Sequence, residues 1–385
     1  MEPVEIEFAD RAADIDERLW SECFRPPLEG RFWYQALDES RLEDQFTFRY
    51  ALIRSGGLPV GVAPCFLHDV PISLVAPAPV AFVLRRLSGV FPRIAHQRTL
   101  FVGSPCSDEG TVGLVPGVTL AGVMGALGPA IRAEARRRRA SMIVFKDFPR
   151  SDLPALSGCG GAAGFFPTVS YPGTVVALPG PDKEAYYRSL THNQRHNLLK
   201  KLRRSRQCQA LETSVVERPS ERELSEIFEL FRQTYEKGRT KFERLDLRFF
   251  RSISAREPAA FILQRDPASG ALLAFMLVFR LGNRVINKFI GLDYSRPTET
   301  YGYFRLFDAA LDFAYAHGAS ELQSGQTGYR AKLDLGHRLV PLFNVFRHEN
   351  PVIHALFRAI GSRVAWKSLD RDLATYLKAH PGLEG

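Results

Sequence analysis

The stretch Ala259–Gly336 decides the fold of this chain. It opens with two apolar runs, Ala260–Arg265 and Ala271–Leu281, which are separated by Asp266-Pro267-Ala268-Ser269-Gly270. Apolar runs of this length that are joined by a turn rich in Pro, Ser and Gly predict a β-hairpin. A third apolar run, Val285–Leu292, predicts one more strand before a polar loop.

The second part of this stretch predicts a helix and a strand around a candidate ligand site. Tyr303–Ala316 carries apolar residues at helical spacing over a broad face, and Ala319–Gln323 predicts a short strand. The run Gly325–Leu333, which reads Gly-Gln-Thr-Gly-Tyr-Arg-Ala-Lys-Leu, follows directly. A loop that opens a helix beside a strand end can hold a phosphate group. The stretch therefore predicts a site for a phosphate-bearing donor and a group-transfer reaction.

The first half of the chain repeats this order of elements. Phe48–Arg54 and Leu58–Leu67 flank Ser55-Gly56-Gly57 and predict another hairpin. Gly122–Arg138 then predicts a helix, and Ser141–Phe145 predicts the strand that follows it. This recurrence predicts a duplicated unit, so we expect two similar α/β (α+β) domains that face a shared groove.

Local signals place a helix start and a domain boundary. Ser220-Glu221-Arg222-Glu223 has the pattern of a capping box, in which Ser and Glu side chains satisfy free backbone donors at a helix start. Pro179-Gly180-Pro181 is typical of a connector between domains. We therefore expect an N-terminal domain over residues 1–179 and a C-terminal domain over residues 180–385.

Composition narrows the class of protein. The chain has 385 residues, of which 45% are apolar, so there is enough material for packed cores. Its formal net charge of +9 favours polyanionic partners such as phosphorylated cofactors, nucleic acid or anionic membranes. The five cysteines are far apart and form no Cys-x-x-Cys pair, so we expect neither a disulfide framework nor a zinc cluster. The histidines show no metal-binding spacing, and we expect no metal.

The same composition bears on localisation. Met1–Glu5 is acidic and lacks an apolar run, so we expect no secretory signal and a cytoplasmic protein. Thr111–Ile131 is uncharged and long enough to span a membrane, but five Gly and two Pro interrupt it. We therefore expect this segment to be a loop that leads into a core helix.

These features resemble the GNAT superfamily of N-acyltransferases, and more narrowly its double-domain branch. That branch contains the Fem-type aminoacyl transferases and related acetyltransferase-like proteins of polysaccharide and peptidoglycan metabolism. The resemblance rests on the hairpin pair, the loop Asp293–Pro297, the helix Tyr303–Ala316 and the pattern Tyr329-x-x-Lys332-x-x-x-Gly336. Tyr186–Leu190, which precedes a basic helix, is similar as well.

The resemblance implies two tandem GNAT-like domains with mixed central sheets. It implies a degenerate N-terminal domain on the acceptor side and a C-terminal domain that binds the donor and carries the catalytic groups. Tyr329 is the expected acid for the leaving group, because a Tyr often starts the corresponding helix in this family. Asp293 at a strand end and Glu321 on the next strand are candidate bases, together with Gln323 as a neighbouring polar group.

The expected cofactor-binding residues surround the two predicted helix starts. Lys332 is placed to pair with a phosphate, and Arg296 and Arg330 are secondary phosphate ligands. Thr298 and Thr300 are positioned to cap the helix around Tyr303. Many family members carry a Gly-rich pyrophosphate loop here, whereas this chain has only Gly302 between Ser295 and Tyr303.

The expected partners follow from this reading. We expect acetyl-CoA or another acyl-CoA as co-substrate and a small-molecule, glycan or peptide amine as acceptor. An aminoacyl-tRNA donor with a cell-wall precursor as acceptor is the alternative. The segment Thr191–Arg206 carries six basic residues and no acid, so it is a candidate contact for tRNA, another polyanion or the inner membrane face. A non-enzymatic binding module that uses this segment is the third interpretation.

Overall fold

The computed structural model describes residues 3–71, 96–158, 164–238, 243–297, 300 and 302–380. Within these residues the chain forms two mixed β-sheets, each covered by helices. The predicted α/β (α+β) class with mixed central sheets is confirmed.

The first half begins with a strand and two helices, continues with a hairpin, and ends with a helix between strands. Its strands are β1 Val4–Ala9, β2 Thr47–Ser55, β3 Leu58–Pro71, β4 His96–Val102, β5 Gly113–Leu114, β6 Met142–Pro149, β7 Phe166–Val169 and β8 Gly173–Ala177. Its helices are α1 Glu17–Cys23, α2 Arg31–Glu39, α3 Leu120–Arg137 and α4 Leu153–Ser157.

The second half repeats this order after two additional helices. Its strands are β9 Glu212–Val216, β10 Ala259–Arg265, β11 Leu272–Leu281, β12 Arg284–Leu292, β13 Glu321–Ser324, β14 Arg338–Val340 and β15 Leu342–His348. Its helices are α5 Lys183–Ser189, α6 His192–Cys208, α7 Glu221–Lys237, α8 Leu247–Ser254, α9 Gly302–Ala316, α10 Tyr329–Asp334, α11 Pro351–Gly361, α12 Trp366–Leu369 and α13 Arg371–Ala379.

Several local predictions are confirmed. Both hairpins form, as β2–β3 and β10–β11. The capping box starts α7, because the Ser220 hydroxyl accepts from the Glu223 backbone N–H at 3.3 Å and the Glu223 carboxylate accepts from the Ser220 N–H at 2.8 Å. In the segment weighed as a membrane span, α3 begins only at Leu120 and contains Pro129. No helix in the described parts of the chain is long and apolar enough to cross a membrane.

The two sheets have matching strand orders. The first runs β1-β2-β3-β4-β6-β15-β7, with β5 paired to β3, and the second runs β14-β8-β13-β12-β11-β10-β9. In each sheet most neighbours are antiparallel, and one central pair is parallel: β4 with β6, and β12 with β13. The duplication expected from the sequence therefore extends to the position of the parallel pair.

The two halves exchange strands. Strand β8 of the first half lies between β13 and β14, with Val176 opposite Leu322. Strand β15 of the second half lies between β6 and β7, with Val345 opposite Phe145. The division at residue 179 remains a prediction, and these pairings show that β8, which precedes it, belongs to the second sheet.

A shared aromatic core joins the halves. The ring of Trp33 on α2 packs edge-on against Phe249 and Phe279 of the second half, with centroids 5.6 and 5.8 Å away. Each such aromatic contact is worth about 0.5–1.5 kcal/mol beyond simple burial. Together with the exchanged strands, this packing fixes the groove between the halves.

Candidate active site

The parallel strands of the second sheet separate after a short contact. Strands β12 and β13 pair over four residues, from Arg284 opposite Glu321 to Asn287 opposite Ser324. Strand β12 then continues to Leu292, whereas β13 ends. A β-bulge assists the separation, because the register with β11 shifts and leaves Lys288 without a partner there.

The separation opens a cavity of about 410 Å³, which we call the strand cleft. Its walls are the free part of β12, the C-terminal part of α7, the turn after β13 and one face of α10. The lining includes Phe231, Thr234, Tyr235, Glu243, Asn287, Lys288, Phe289, Ile290, Leu292, Tyr303, Ser324, Gly325, Gln326, Thr327, Gly328, Ala331 and Lys332.

Two further cavities adjoin it. The helix cleft, of about 300 Å³, lies at the start of α9 and shares Leu292 and Tyr303 with the strand cleft. The interdomain cleft, of about 390 Å³, lies against the first half and shares Glu243 and Lys288 with the strand cleft. The three cavities lie side by side between the start of α9 and the boundary between the halves, and together we call them the groove.

The helix cleft gathers four of the predicted site residues. It is lined by Asp293, Arg296, Thr300 and Gly302. Burial alone would raise the pKa of Asp293, but hydrogen bonds from the Ser295 N–H at 3.0 Å and from Arg296 Nε at 3.2 Å outweigh burial and lower it. A carboxylate that is held ionised and engaged in this way is a weak base.

The threonines of this loop differ in what the structure shows of them. The Thr300 hydroxyl donates to the Pro297 carbonyl at 2.8 Å, and the Thr300 carbonyl accepts from the Ser205 hydroxyl at the end of α6. Thr298 lies outside the described residues. The basic helix α6 therefore ends beside the helix cleft.

Glu321 lies away from the groove. It occupies the first position of β13, and the cleft opens at the other end of that strand. Its carboxylate accepts from Arg284 Nε at 3.2 Å and from Arg338 Nη2 at 3.0 Å. The candidate Gln323 accepts from Arg284 at 3.0 Å and donates to Asp108 at 3.3 Å. These contacts disfavour the role of general base that the sequence suggested for Glu321.

Tyr329 packs away from the groove as well. Its side chain is fully buried in a small core with Trp366, Leu373 and Leu377, and its hydroxyl donates to the Pro172 carbonyl at 2.9 Å. Burial raises its pKa well above the ordinary value. The role of leaving-group acid for Tyr329 remains a prediction that this position disfavours.

The other two candidates on α10 diverge. Arg330 is exposed, its backbone N–H donates to Asp372 of α13 at 3.4 Å, and it is not among the residues that line the three clefts. Lys332 is buried and lines the strand cleft. Its Nζ donates to the carbonyls of Gly325 at 2.8 Å and Gln326 at 3.2 Å, and burial lowers its pKa to about 8. Of the Tyr-x-x-Lys pair, Lys332 alone reaches the cleft.

Sequence reasoning missed Glu243. This residue lies on the irregular segment between α7 and α8 and lines both the strand cleft and the interdomain cleft. Burial raises its pKa to about 7, against the opposing effect of the positive charge on Lys146. A single Glu on a segment without periodicity gives no signal in the sequence.

A buried ion pair was missed too. Lys288 at the bulge of β12 contacts Glu29 of the first half at 2.5 Å and lies 4.5 Å from the centre of the Trp33 ring. Burial opposes the charge of Lys288, but the carboxylates of Glu29 and Asp108 outweigh burial and raise its pKa. This pair fixes the bulge to the first half, and only the tertiary fold brings its members together.

The corresponding site in the first half is closed. Strands β4 and β6 also part after four pairs, the last being Val102 opposite Phe145. There the chain itself fills the opening, because the Gly110 N–H donates to the Asp147 carbonyl at 2.9 Å. A Cβ atom on Gly110 would lie only 2.0 Å from the Lys146 carbonyl oxygen.

Comparison with known proteins identifies the fold. Neither a protein-family model nor a curated protein sequence matches the chain. The crystal structure of FemX superposes with a TM-score of 0.57 at 14% identity, covering 91% of this chain and 100% of that one. A tandem GNAT protein from the clavulanic acid biosynthesis pathway gives 0.52 at 14% identity, covering 90% and 99%. A conserved protein of unknown function from Bacteroides thetaiotaomicron gives 0.52 at 12%, covering 89% and 98%.

These likenesses establish a double-domain GNAT fold of the Fem type, as the resemblance in the sequence predicted. Identities this low show the fold and leave the reaction open. In the described parts of the chain, no group of three or more His, Cys, Asp or Glu is placed to hold a metal ion.

Proposed function

We propose that this protein is an N-acyltransferase that transfers an acyl group from acyl-CoA to an amine by direct attack in a ternary complex. One observation carries the proposal: the strand cleft of the second half lies next to the helix cleft at the start of α9, and Leu292 and Tyr303 line both cavities. A long donor with an anionic handle and a reactive carbonyl fits a groove that joins a helix start to a free strand edge.

The helix cleft suits the phosphates of the donor. The N-terminus of α9, a helix of 15 residues, carries partial positive charge, and Arg296 and Lys237 line the same cleft. Gly302 lines this cleft without a side chain, so a ligand can approach its backbone closely. The loop lacks other glycines, so side chains and the helix start supply the binding that a Gly-rich loop supplies elsewhere.

The strand cleft suits the acyl group. Beyond Asn287 the edge of β12 that faced β13 has no strand partner in the described residues. The Leu292 N–H donates to the Thr234 hydroxyl at 3.2 Å, and the backbone groups before it can serve the donor and a developing oxyanion. One oxyanion-hole donor is worth roughly 3 kcal/mol of transition-state stabilisation.

Two side chains that line the strand cleft supply the proton transfers. Glu243, with a pKa of about 7, accepts the proton of the attacking amine, and Lys332, with a pKa of about 8, gives a proton to the departing thiolate. In the step the amine nitrogen bonds to the acyl carbon and the carbon–sulfur bond breaks. We assign Lys332 to the role first predicted for Tyr329, because only Lys332 lines the cleft.

The interdomain cleft suits the acceptor. Asp108, Asp147 and Glu243 line it together with Lys146 and Lys288. Lys146 is paired with Asp147 and Lys288 with Glu29, which leaves the carboxylates of Asp108 and Glu243 to favour an incoming ammonium group. It meets the strand cleft at Glu243, so an amine bound there reaches the acyl carbon beside its base. We propose a small-molecule, glycan or peptide amine as acceptor and, because of the acyl-CoA donor, a cytoplasmic location.

A Fem-type reaction with aminoacyl-tRNA and a cell-wall precursor is the second candidate. The observation that favours it is the exposed basic face of α6, where Lys200, Arg203 and Arg204 lie on the helix that ends beside the helix cleft. A polyanion longer than coenzyme A would contact both surfaces.

Parallel titrations with acetyl-CoA and with total tRNA, followed by thermal unfolding, separate the candidates. Stabilisation by acetyl-CoA that saturates, and that is weakened in Arg296→Ala, supports the proposal. Salt-sensitive tRNA binding without any effect of acetyl-CoA would replace it with the second candidate. If neither acetyl-CoA nor tRNA changes the melting temperature, the interpretation that remains is a binding module without transfer activity.

A further inference from the structure

Helix α11 has an outward face without a single polar side chain. Val352, Ala355, Leu356 and Ala359 are all exposed on it. Of the seven exposed large apolar side chains in the described residues, three lie on this one helix: Val352, at 77% exposure, Leu356, at 52%, and Ile353, at 37%. Apolar residues concentrated in this way on one surface element mark a contact site.

The inward face explains why the helix is held in this orientation. His354 packs against the Phe166 ring at 5.2 Å, and Phe357 packs against His348 at 6.0 Å. The Gly361 carbonyl accepts from the Thr168 hydroxyl at 3.0 Å. Asn350 caps the first turn by accepting from the N–H groups of Val352 and Ile353. The helix is therefore anchored on β7 and β15 with its apolar side facing outward.

The charges around α11 are positive. At its start, the single carboxylate of Glu349 contacts three arginines: Arg132 at 3.0 Å, Arg136 at 2.9 Å and Arg347 at 3.4 Å, which leaves an excess of positive charge. Arg358 and Arg363 follow on its other side, and the chain carries no acid between Glu349 and Asp370. An apolar face with a basic rim is complementary to an anionic lipid surface.

We propose that α11 docks the protein on anionic phospholipid bilayers, with Val352, Ile353 and Leu356 in the interface and the arginines at the headgroups. The helix has 11 residues, about 16 Å at 1.5 Å per residue, so it lies on the bilayer and does not cross it. A second copy of the chain is a poorer occupant, because a stable protein interface takes roughly 20–30 residues from each partner. This surface is distinct from the basic helix α6.

Co-sedimentation with phosphatidylglycerol vesicles and with pure phosphatidylcholine vesicles tests the proposal. We expect the full chain to bind the anionic vesicles, with binding that weakens as salt rises. The double variant Val352→Ser/Leu356→Ser should reduce the bound fraction by about tenfold or more, because two apolar side chains no longer enter the lipid. Arg358→Gln/Arg363→Gln should weaken binding to anionic vesicles and leave the apolar face intact.

Leu58→Ser is the matched control, since Leu58 is 69% exposed at the turn between β2 and β3 and belongs to neither surface. It should bind as the wild type does. Melting temperatures of all variants should agree, because each substitution lies on an exposed position.

Three outcomes would overturn the proposal. The first is no binding to either vesicle. The second is binding that survives Val352→Ser/Leu356→Ser but is lost in Lys200→Gln/Arg203→Gln/Arg204→Gln, which would assign it to α6. The third is a concentration-dependent dimer, seen by sedimentation equilibrium, that Val352→Ser/Leu356→Ser abolishes while vesicle binding is unchanged.

Discussion

The two halves of this protein share one strand order and differ at the point where the parallel strands part. In the first half, β4 and β6 separate after Val102 and Phe145, and the chain around Gly110 fills the gap. In the second half, β12 and β13 separate after Asn287 and Ser324, and the gap remains a cavity of about 410 Å³. The same opening is therefore part of the packed scaffold in the first half and a cavity that can take a ligand in the second half.

The difference also shows how the scaffold supports the free copy. The loop that closes the first opening carries Asp108, which reaches across to the second half and accepts from Gln323 at 3.3 Å. The ion pair between Glu29 and Lys288 joins the halves at the bulge that opens the second cleft. The closed half therefore helps to shape the open one.

Of the changes considered, filling the strand cleft should have the largest effect, and the property affected is the affinity for acetyl-CoA. Ala331→Trp places an indole in the strand cleft, where Ala331 is part of the lining, and acetyl-CoA binding should fall below detection in calorimetry. Ala121→Trp, on the exposed side of α3 in the first half, is the control and should bind normally. Unchanged affinity in Ala331→Trp would place the donor elsewhere.

Removing the proposed acid should be the next largest effect. Lys332→Met should lower kcat by about 10²–10⁴-fold with a smaller change in KM, because the proton transfer serves the transition state. Steady-state kinetics with a series of amines measures this. An unchanged kcat in Lys332→Met would show that Lys332 is not the acid that protonates the leaving group.

The pH dependence follows from the two shifted pKa values. Glu243 must be ionised to act as base, so kcat/KM should rise with pH through about 7. Lys332 must be protonated to act as acid, so kcat/KM should fall as pH rises through about 8. We expect a narrow bell-shaped profile whose acidic limb disappears in Glu243→Gln. A limb through about pH 7 that persists in Glu243→Gln, after kcat/KM is corrected for the fraction of unprotonated amine, would exclude Glu243 as the base.

A substitution in the closed opening of the first half should lower the free energy of unfolding and leave acetyl-CoA binding unchanged. Gly110→Ala forces a Cβ atom to within 2.0 Å of the Lys146 carbonyl and should lower the free energy of unfolding by about 1–3 kcal/mol. Gly325→Ala in the second half should cost less, because its Cβ would meet the movable Asp108 carboxylate at 3.0 Å. Urea denaturation compares the two, and equal losses would argue against the closed packing of the first half.

Tyr329→Phe should have the smallest effect on stability and activity. The hydroxyl makes one buried hydrogen bond, to Pro172, so its loss should reduce stability by about 1 kcal/mol and leave kcat nearly unchanged. A large fall in kcat with unchanged stability would instead support the acid role that the sequence suggested.

The sequence predicts much of this fold because its signals are local. The hairpins β2–β3 and β10–β11, the capping box at Ser220 and the repeated order of elements all rest on neighbours along the chain. The strand exchange rests on long-range pairing. Nothing in the short apolar runs of β8 and β15 distinguishes a partner in the same half from one in the other half.

The site was harder to predict for the same reason. Asp293, Arg296, Thr300 and Gly302 line one cleft because they are close in sequence at the start of α9. The orientation of Tyr329 depends on α12 and α13, which pack on it from the end of the chain.

Other parts of the site had no periodic signal. Glu243 lies on an irregular segment, and the role of Lys288 depends on a bulge and on Glu29. Reasoning from the sequence therefore named several residues that line the groove, but it did not find Glu243 or Lys288, which tertiary contacts bring there.

Amide hydrogen exchange with and without acetyl-CoA tests the central claim most directly. We expect the donor to protect the free part of β12 between Lys288 and Leu292 and the first turn of α9, and to leave β4 and the end of β6 unchanged. Protection at the first-half opening, or none at the free edge of β12, would contradict the assignment of the donor to the second half.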